Sequence, residues 1–203
     1  MASANLKLCS LAAFALAIVQ ITVAGDPDIL FDYIAPNNVD GSFFTFTGFR
    51  AITEQPPPQS FKATKASAVE FPAVFGQSVS YAALQFPAGS INPPHTHPRS
   101  AELLLVAQGA LQVGFVDTTN KLLTSTLQTG DMFVFPKGLV HFQHNADNNQ
   151  TALALSAFGS ANAGTVSIPN TLFNSSIDDT VLALAFKTDV GTIQTLKKGF
   201  APK

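Results

Sequence analysis

Between Phe61 and Ile168 the chain breaks into short runs of β-type composition separated by Gly, Pro, Asn or Asp, and no 3.6-residue apolar period joins them. The runs are Ser78 to Phe86, Glu102 to Ala107, Ala110 to Val116, Lys121 to Leu127, Met132 to Phe135, His141 to Asn145, Ala152 to Phe158 and Thr165 to Ile168. Strands that follow one another this closely leave no room for the helical crossovers that parallel pairing requires. The pattern predicts an all-β fold, an antiparallel sandwich or β-barrel of the jelly-roll kind, and excludes a doubly wound sheet.

The flanks read differently. Residues 25–60 form an irregular N-terminal arm, broken by Asn37-Asn38, Asp40-Gly41 and the triple proline at 56–58, with one strand expected over Phe43 to Phe49. After Pro169 the composition turns helical. Asp178 and Asp179 are placed to cap a first helix whose stripe is Val181, Leu184 and Ala185, and Asp189 a second carrying Val190, Ile193 and Leu196. Lys197 and Lys198 suit its C-terminal end and Gly199 is expected to stop it. The divisions are therefore 25–60 for the arm, 61–168 for the barrel and 169–203 for a C-terminal helical extension.

Lys7 precedes the apolar stretch from Leu8, and small residues at Thr22, Val23 and Ala24 follow it, the pattern of a signal peptide over 1–24. Secretion is expected, with no membrane association once the leader is removed. Of 203 residues 11 are basic and 13 acidic, and no basic run occurs, so nucleic acid is not an expected partner. The one cysteine, Cys9, lies inside the leader. The exported chain has no disulfide and must hold itself by packing, subunit contacts or metal. Sequons at Asn149 and Asn174 fit glycosylation in an exported context.

All four histidines fall between positions 95 and 144. His95 and His97 are one residue apart, so an extended chain projects both from one face. Glu102 opens the next run, and His141 begins another after the turn Pro136-Lys137-Gly138. Taken singly, each has an ordinary reading as a hydrogen-bonded core histidine or a solvated strand acid. Together they make a metal site of three imidazoles and one carboxylate. Imidazole alone suits several transition metals, whereas an added carboxylate with open positions favours octahedral manganese or iron over closed tetrahedral zinc. His144 has the opposite strand parity and should face away, while Asn145 is expected to fix a turn.

These residues fill two spaced patterns: Gly89, five residues, His95-x-His97, four residues, Glu102, six residues, Gly109; and Gly130, five residues, Pro136-x-Gly138, two residues, His141, three residues, Asn145. They are the two motifs of the cupin superfamily, and the version Asn92-Pro-Pro-His-Thr-His97-Pro-Arg99 resembles the germins and germin-like proteins of plants. The resemblance covers essentially the whole exported chain from Asp26-Pro27-Asp28 onward. It implies a cupin jelly-roll binding one Mn2+ through His95, His97, Glu102 and His141, with iron as the other candidate. It also implies a homo-oligomer, a hexamer built as a trimer of dimers in which the C-terminal helices pack on another subunit, and an apoplast or cell-wall location.

The sequence departs from that family in two places. The two cysteines that form a disulfide in most germins would align near Tyr33 and Ala51, and neither is present. The arm must then be held by packing, with Phe31, Phe43, Phe44, Phe46 and Phe49 available for it. Of the two asparagines that hold oxalate in oxalate oxidase germins, one matches Asn92 and the other aligns with Ala82. A dianion that loses one of its donors is poorly satisfied. The resemblance therefore implies superoxide, a small substrate needing only an open metal position, rather than oxalate. The alternative is a non-catalytic wall or storage protein, or a receptor-like binder, in which the metal serves stability.

Overall fold

A computed structural model describes residues 25–200; the expected leader lies outside the described residues. Ten strands form two antiparallel five-stranded sheets. They are β1 (Lys62–Ala66), β2 (Ser80–Phe86), β3 (Ile91–Thr96), β4 (Glu102–Gln108), β5 (Ala110–Val116), β6 (Leu122–Gln128), β7 (Met132–Phe135), β8 (Val140–His144), β9 (Ala152–Phe158) and β10 (Val166–Ser167). One sheet runs β1-β2-β9-β4-β7 and the other β10-β3-β8-β5-β6. The all-β jelly-roll follows, with the long-range crossings that a meander would lack.

Alternation explains which residues lie between the sheets. On β2, Ala82, Leu84 and Phe86 face inward, on β4 Leu104 and Val106, and on β5 Leu111 and Val113. Phe135 closes one end of this core and is fully buried, as are Leu104 and Val106. Burying side chains of this size contributes roughly 1.5–3 kcal/mol each against exposure.

Two strands escape the sequence pattern. β1 has the composition KATKA, poor in β-formers, and is an edge strand whose lysines suit an exposed border. β3 contains Pro93 and Pro94, which cannot donate to a ladder, although it lies between β10 and β8. The register slips between Asn92 and His95, and this bulge accommodates both prolines.

Three expectations fail on the flanks. Phe43 to Phe49 is not a strand: Asp40 accepts the Ser42 N–H at 2.9 Å and its hydroxyl at 2.6 Å, and successive turns run from Asp40 to Thr45. A side chain that offers the backbone a local partner competes with the ladder. A 3-10 turn at Gly48–Arg50 and a short helix α1 (Ala51–Glu54) follow. The arm packs through aromatic pairs, Tyr33 with Phe44, Phe43 with Phe44, and Phe46 with both Phe49 and Phe71, at centroid distances of 5.0–5.6 Å. Phe31 stays exposed.

The C-terminal part holds α2 (Ile168–Phe173), α3 (Asp179–Phe186) and α4 (Val190–Phe200). Asp178 caps α3 by accepting the N–H groups of Thr180 and Val181, and Asp189 accepts that of Thr192. The buried face is Leu182, Ala183 and Ile193; of the expected stripes Ile193 is buried, whereas Val181, Leu184, Val190 and Leu196 are exposed. The bundle is so short that it turns only one narrow face inward. Gly199 does not stop α4, which runs to Phe200. Among the described residues no helix is long and apolar enough to cross a membrane.

Candidate metal centre

His95, His97, Glu102 and His141 are all buried, and one donor atom from each lies within 4.8 Å of the others. His95 on β3 pairs in register with His141 on β8, and Glu102 opens β4 in the facing sheet. The two sheets thus each supply one wall of the site. Asn92 and His95, three apart, would face oppositely on a regular strand. The bulge turns both inward, with Asn92 Nδ2 3.5 Å from His95 Nε2.

The ring orientations follow from backbone carbonyls. Nδ1 of His95 lies 2.9 Å from the Pro93 carbonyl, Nδ1 of His97 2.5 Å from that of Gly164, and Nδ1 of His141 2.8 Å from that of Leu139. A carbonyl only accepts, so each Nδ1 carries a hydrogen and each Nε2 of a neutral ring presents a lone pair. Nε2 of His97 and of His141 then lie 3.0 and 3.1 Å from Glu102 Oε2. Lone pairs facing a carboxylate oxygen at this distance repel unless a cation sits among them. Three Nε2 atoms and a carboxylate aimed at one point suit a metal ion better than a single shared proton.

Electrostatics point the same way. Burial, then the neighbouring His141 ring, push His95 down to about 4, so it is a neutral ligand at ordinary pH. Burial alone would raise the Glu102 carboxyl, but the His141 and His97 rings against its Oε2 outweigh it and hold it far below the usual carboxylate range. Its second oxygen is also satisfied: Oε1 accepts the Ser156 hydroxyl at 2.6 Å and the Gln143 amide at 3.2 Å. Gln143 Oε1 in turn accepts from Asn92 Nδ2 at 2.7 Å. Phe135 stacks on the His141 ring at 4.5 Å and Phe158 meets His97 edge-on at 4.9 Å. A cavity of about 400 Å3 opens beside the cluster, bounded by Phe61, Ala82, Leu84, Asn92 and Phe158.

The four expected donors therefore come together, and Asn92 joins the cavity wall. His144 stands apart, half-buried and 3.4 Å from Gln112 Oε1. Asn145 bonds its own backbone as expected, accepting the Asp147 N–H, and its amide also ties the carbonyls of Phe86, Pro87 and Gln150. Asn149 and Asn174 are exposed. The sequence reading missed Gln143 and Ser156. Gln143 shares strand parity with His141, and Ser156 is the one polar residue of β9; both signals were present in the chain.

The Cupin family model matches residues 52–194. The chain is 59% identical to germin-like protein 9-3 of Oryza sativa subsp. japonica over 212 residues, covering 100% of this chain and 98% of that one. Germin-like protein 9-1 of the same source is 51% identical, over 92% of this chain and 78% of its own length. The rhicadhesin receptor of Pisum sativum is 44% identical over 142 residues, 69% of this chain and 65% of that protein. Among solved structures, a recombinant oxalate oxidase in complex with glycolate superposes with a TM-score of 0.77 at 31% identity, covering 87% of this chain and 98% of its own. With the fold, the two motifs and a full-length match in agreement, the chain belongs to the cupin family, as a plant germin-like protein.

Proposed function

We propose that this chain is a secreted manganese-binding protein of the apoplast that dismutates superoxide, converting two superoxide ions and two protons to dioxygen and hydrogen peroxide. The observation that carries the reading is the convergence of three imidazole donors and an anionic Glu102 beside an open cavity. Four protein donors leave an octahedral ion two further positions, and the carboxylate favours manganese or iron over the softer metals. Manganese, when bound, would supply the one-electron redox couple. The chain's own residues fix the donors, exclude bulk water with Phe135 and Phe158, and hold the Asn92 amide at the cavity wall. One hydrogen of that amide is committed to Gln143, and the other, 3.5 Å from His95 Nε2, would be free for a substrate oxygen once that nitrogen holds the ion.

Oxalate is a poorer substrate. Ala82 lies in the cavity wall and has no donor to offer the second carboxylate. Export, glycans at Asn149 and Asn174, and a hexamer belong to the same proposal. The exposed Val181, Leu184, Phe186 and Leu196 support burial of the helices against another subunit. A second reading, a non-catalytic wall or receptor-like protein, draws on the similarity to the rhicadhesin receptor.

Elemental analysis of the secreted protein, purified without chelators, tests the metal, with about one manganese per chain expected. Superoxide turnover then separates the two readings. Glu102→Ala should abolish it, and undiminished turnover in that variant overturns the enzyme.

A further inference from the structure

The segment 159–165 between β9 and β10 borders the cavity beside the four donors through Asn162, Ala163, Gly164 and Thr165, and it is tied to the start of the exported chain. Asp26 Oδ1 accepts the Ser160 hydroxyl at 2.7 Å and Oδ2 accepts the Ala161 N–H at 2.6 Å. The Asp26 N–H donates to Ser78 Oγ at 3.1 Å. Ser160 Oγ accepts the Asn162 N–H at 3.1 Å, and Asn162 Oδ1 accepts the Gly164 N–H at 3.2 Å. The Gly164 carbonyl receives the His97 Nδ1–H. The chain of bonds from Asp26 to a metal donor is therefore unbroken, although Asp26 and Ser160 are 134 residues apart in sequence.

Gly164 has little freedom within this segment. It adopts φ of +71°, and a Cβ there would lie 2.7 Å from Arg99 Nη2. Arg99 itself is fixed on Asn162, with Nε donating to its carbonyl at 2.6 Å and Nη2 to its side-chain oxygen at 3.1 Å. The carbonyl that sets the His97 tautomer is thus held by a small hydrogen-bonded unit that Asp26 joins from the arm's start.

We propose that Asp26 is a positioning residue for the metal centre: through Ser160, Asn162 and Gly164 it fixes the His97 ring so that Nε2 faces the ion. The inference rests on the metal reading above and not on the reaction assigned to it. It gives the leader's cleavage site a consequence, because Asp26 lies two residues beyond Ala24. A chain trimmed past Asp26 keeps all four donors and loses the support of one. Outer partners of metal-bound histidines commonly set affinity by about tenfold to a hundredfold.

The test uses full-length precursors expressed in a secreting host, as wild type, Asp26→Ala, Asp26→Asn and Gln77→Ala. Gln77 is the control, since its amide holds the arm elsewhere by donating to the Asp32 carbonyl at 3.1 Å. Manganese affinity is measured by chelator competition, manganese spectra by electron paramagnetic resonance, and the His97 Nδ1–H by nitrogen-15 NMR of the metal-free protein. Asp26→Ala should weaken manganese binding by several-fold, up to about the tenfold lower figure for a direct partner, alter the spectrum and deprotect the His97 Nδ1–H. Asp26→Asn keeps one acceptor and should fall between, and it carries the test if the alanine variant is not secreted. Gln77→Ala should match wild type. Unchanged affinity and an unchanged His97 signal in the Asp26 variants overturn the proposal, as does an equal loss in Gln77→Ala, which would make Asp26 an arm anchor alone. If the wild type takes up no manganese, the metal reading fails, and the His97 signal still decides whether Asp26 positions the ring.

Discussion

Ser156→Ala removes one oxygen from the interior and should weaken metal binding without unfolding the barrel. Ser156 is 0% exposed, and its hydroxyl donates to Glu102 Oε1 at 2.6 Å. Alanine fits the same space, and full burial denies solvent access to replace the lost donor. A hydrogen bond to a charged group is worth about 1.5–3 kcal/mol. Since 1.36 kcal/mol equals one pKa unit, the Glu102 carboxyl should rise by roughly one to two units. Gln143 still donates to the same oxygen and keeps the loss near the lower figure. Glu102 stays ionised at neutral pH, so the loss of manganese affinity there comes from the freer orientation of its carboxylate and should be about tenfold, within the range known for outer partners of metal ligands. Chelator competition at two pH values is the assay. Metal release from the variant should begin at higher pH than from wild type. A folded Ser156→Ala protein with wild-type affinity and an unchanged acid release curve would refute the reasoning, and Glu102 would owe its ionisation to the imidazoles and Gln143.

Three further outcomes follow from the same coordinates. In the metal-free protein His95 is held down to about 4, whereas an unfolded imidazole titrates near 6.5. The unfolded state binds the extra proton between those values, so stability is complete above pH 6.5 and falls toward pH 4 by up to about 3 kcal/mol, which urea titrations at pH 7 and pH 5 should resolve. Leu104→Ala, at a fully buried position between the sheets, should cost about 2–5 kcal/mol and lower Tm by roughly 5–20 °C in calorimetry. Gly109→Ala should reduce the yield of folded protein more than a surface substitution does, because φ there is +79° and a Cβ would lie 2.8 Å from the Thr151 carbonyl.

Much of the fold was legible because alternation and turn residues report directly on a half-buried strand. Ala110–Val116, Met132–Phe135 and Ala152–Phe158 agree with their sequence runs at both ends. β1 was hidden because an edge strand buries little and tolerates lysine. The Phe43 to Phe49 segment misled because aromatic content favours strands only where a neighbour exists to pair with. Asp40 instead offered the backbone bonds of its own. At the metal centre the donors were legible from their spacing. Their supports were legible only in part: strand parity marks Gln143 and composition marks Ser156 as polar residues facing inward, but which atoms they touch, and the role of the Gly164 carbonyl, depend on distances across a sandwich that spacing along the chain does not encode.

The placement of His141 governs how an ion can come and go. β8 has hydrogen-bonded neighbours on both sides, β3 and β5, and β4, which carries Glu102, lies between β9 and β7. Neither donor can be withdrawn by peeling an edge. Exchange of the ion must proceed through the cavity while the barrel stays closed, so low urea should leave the exchange rate unchanged until global unfolding begins. Any loading would then be a matter of access and supply after folding, and the metal content of the protein would follow the compartment in which the closed barrel resides.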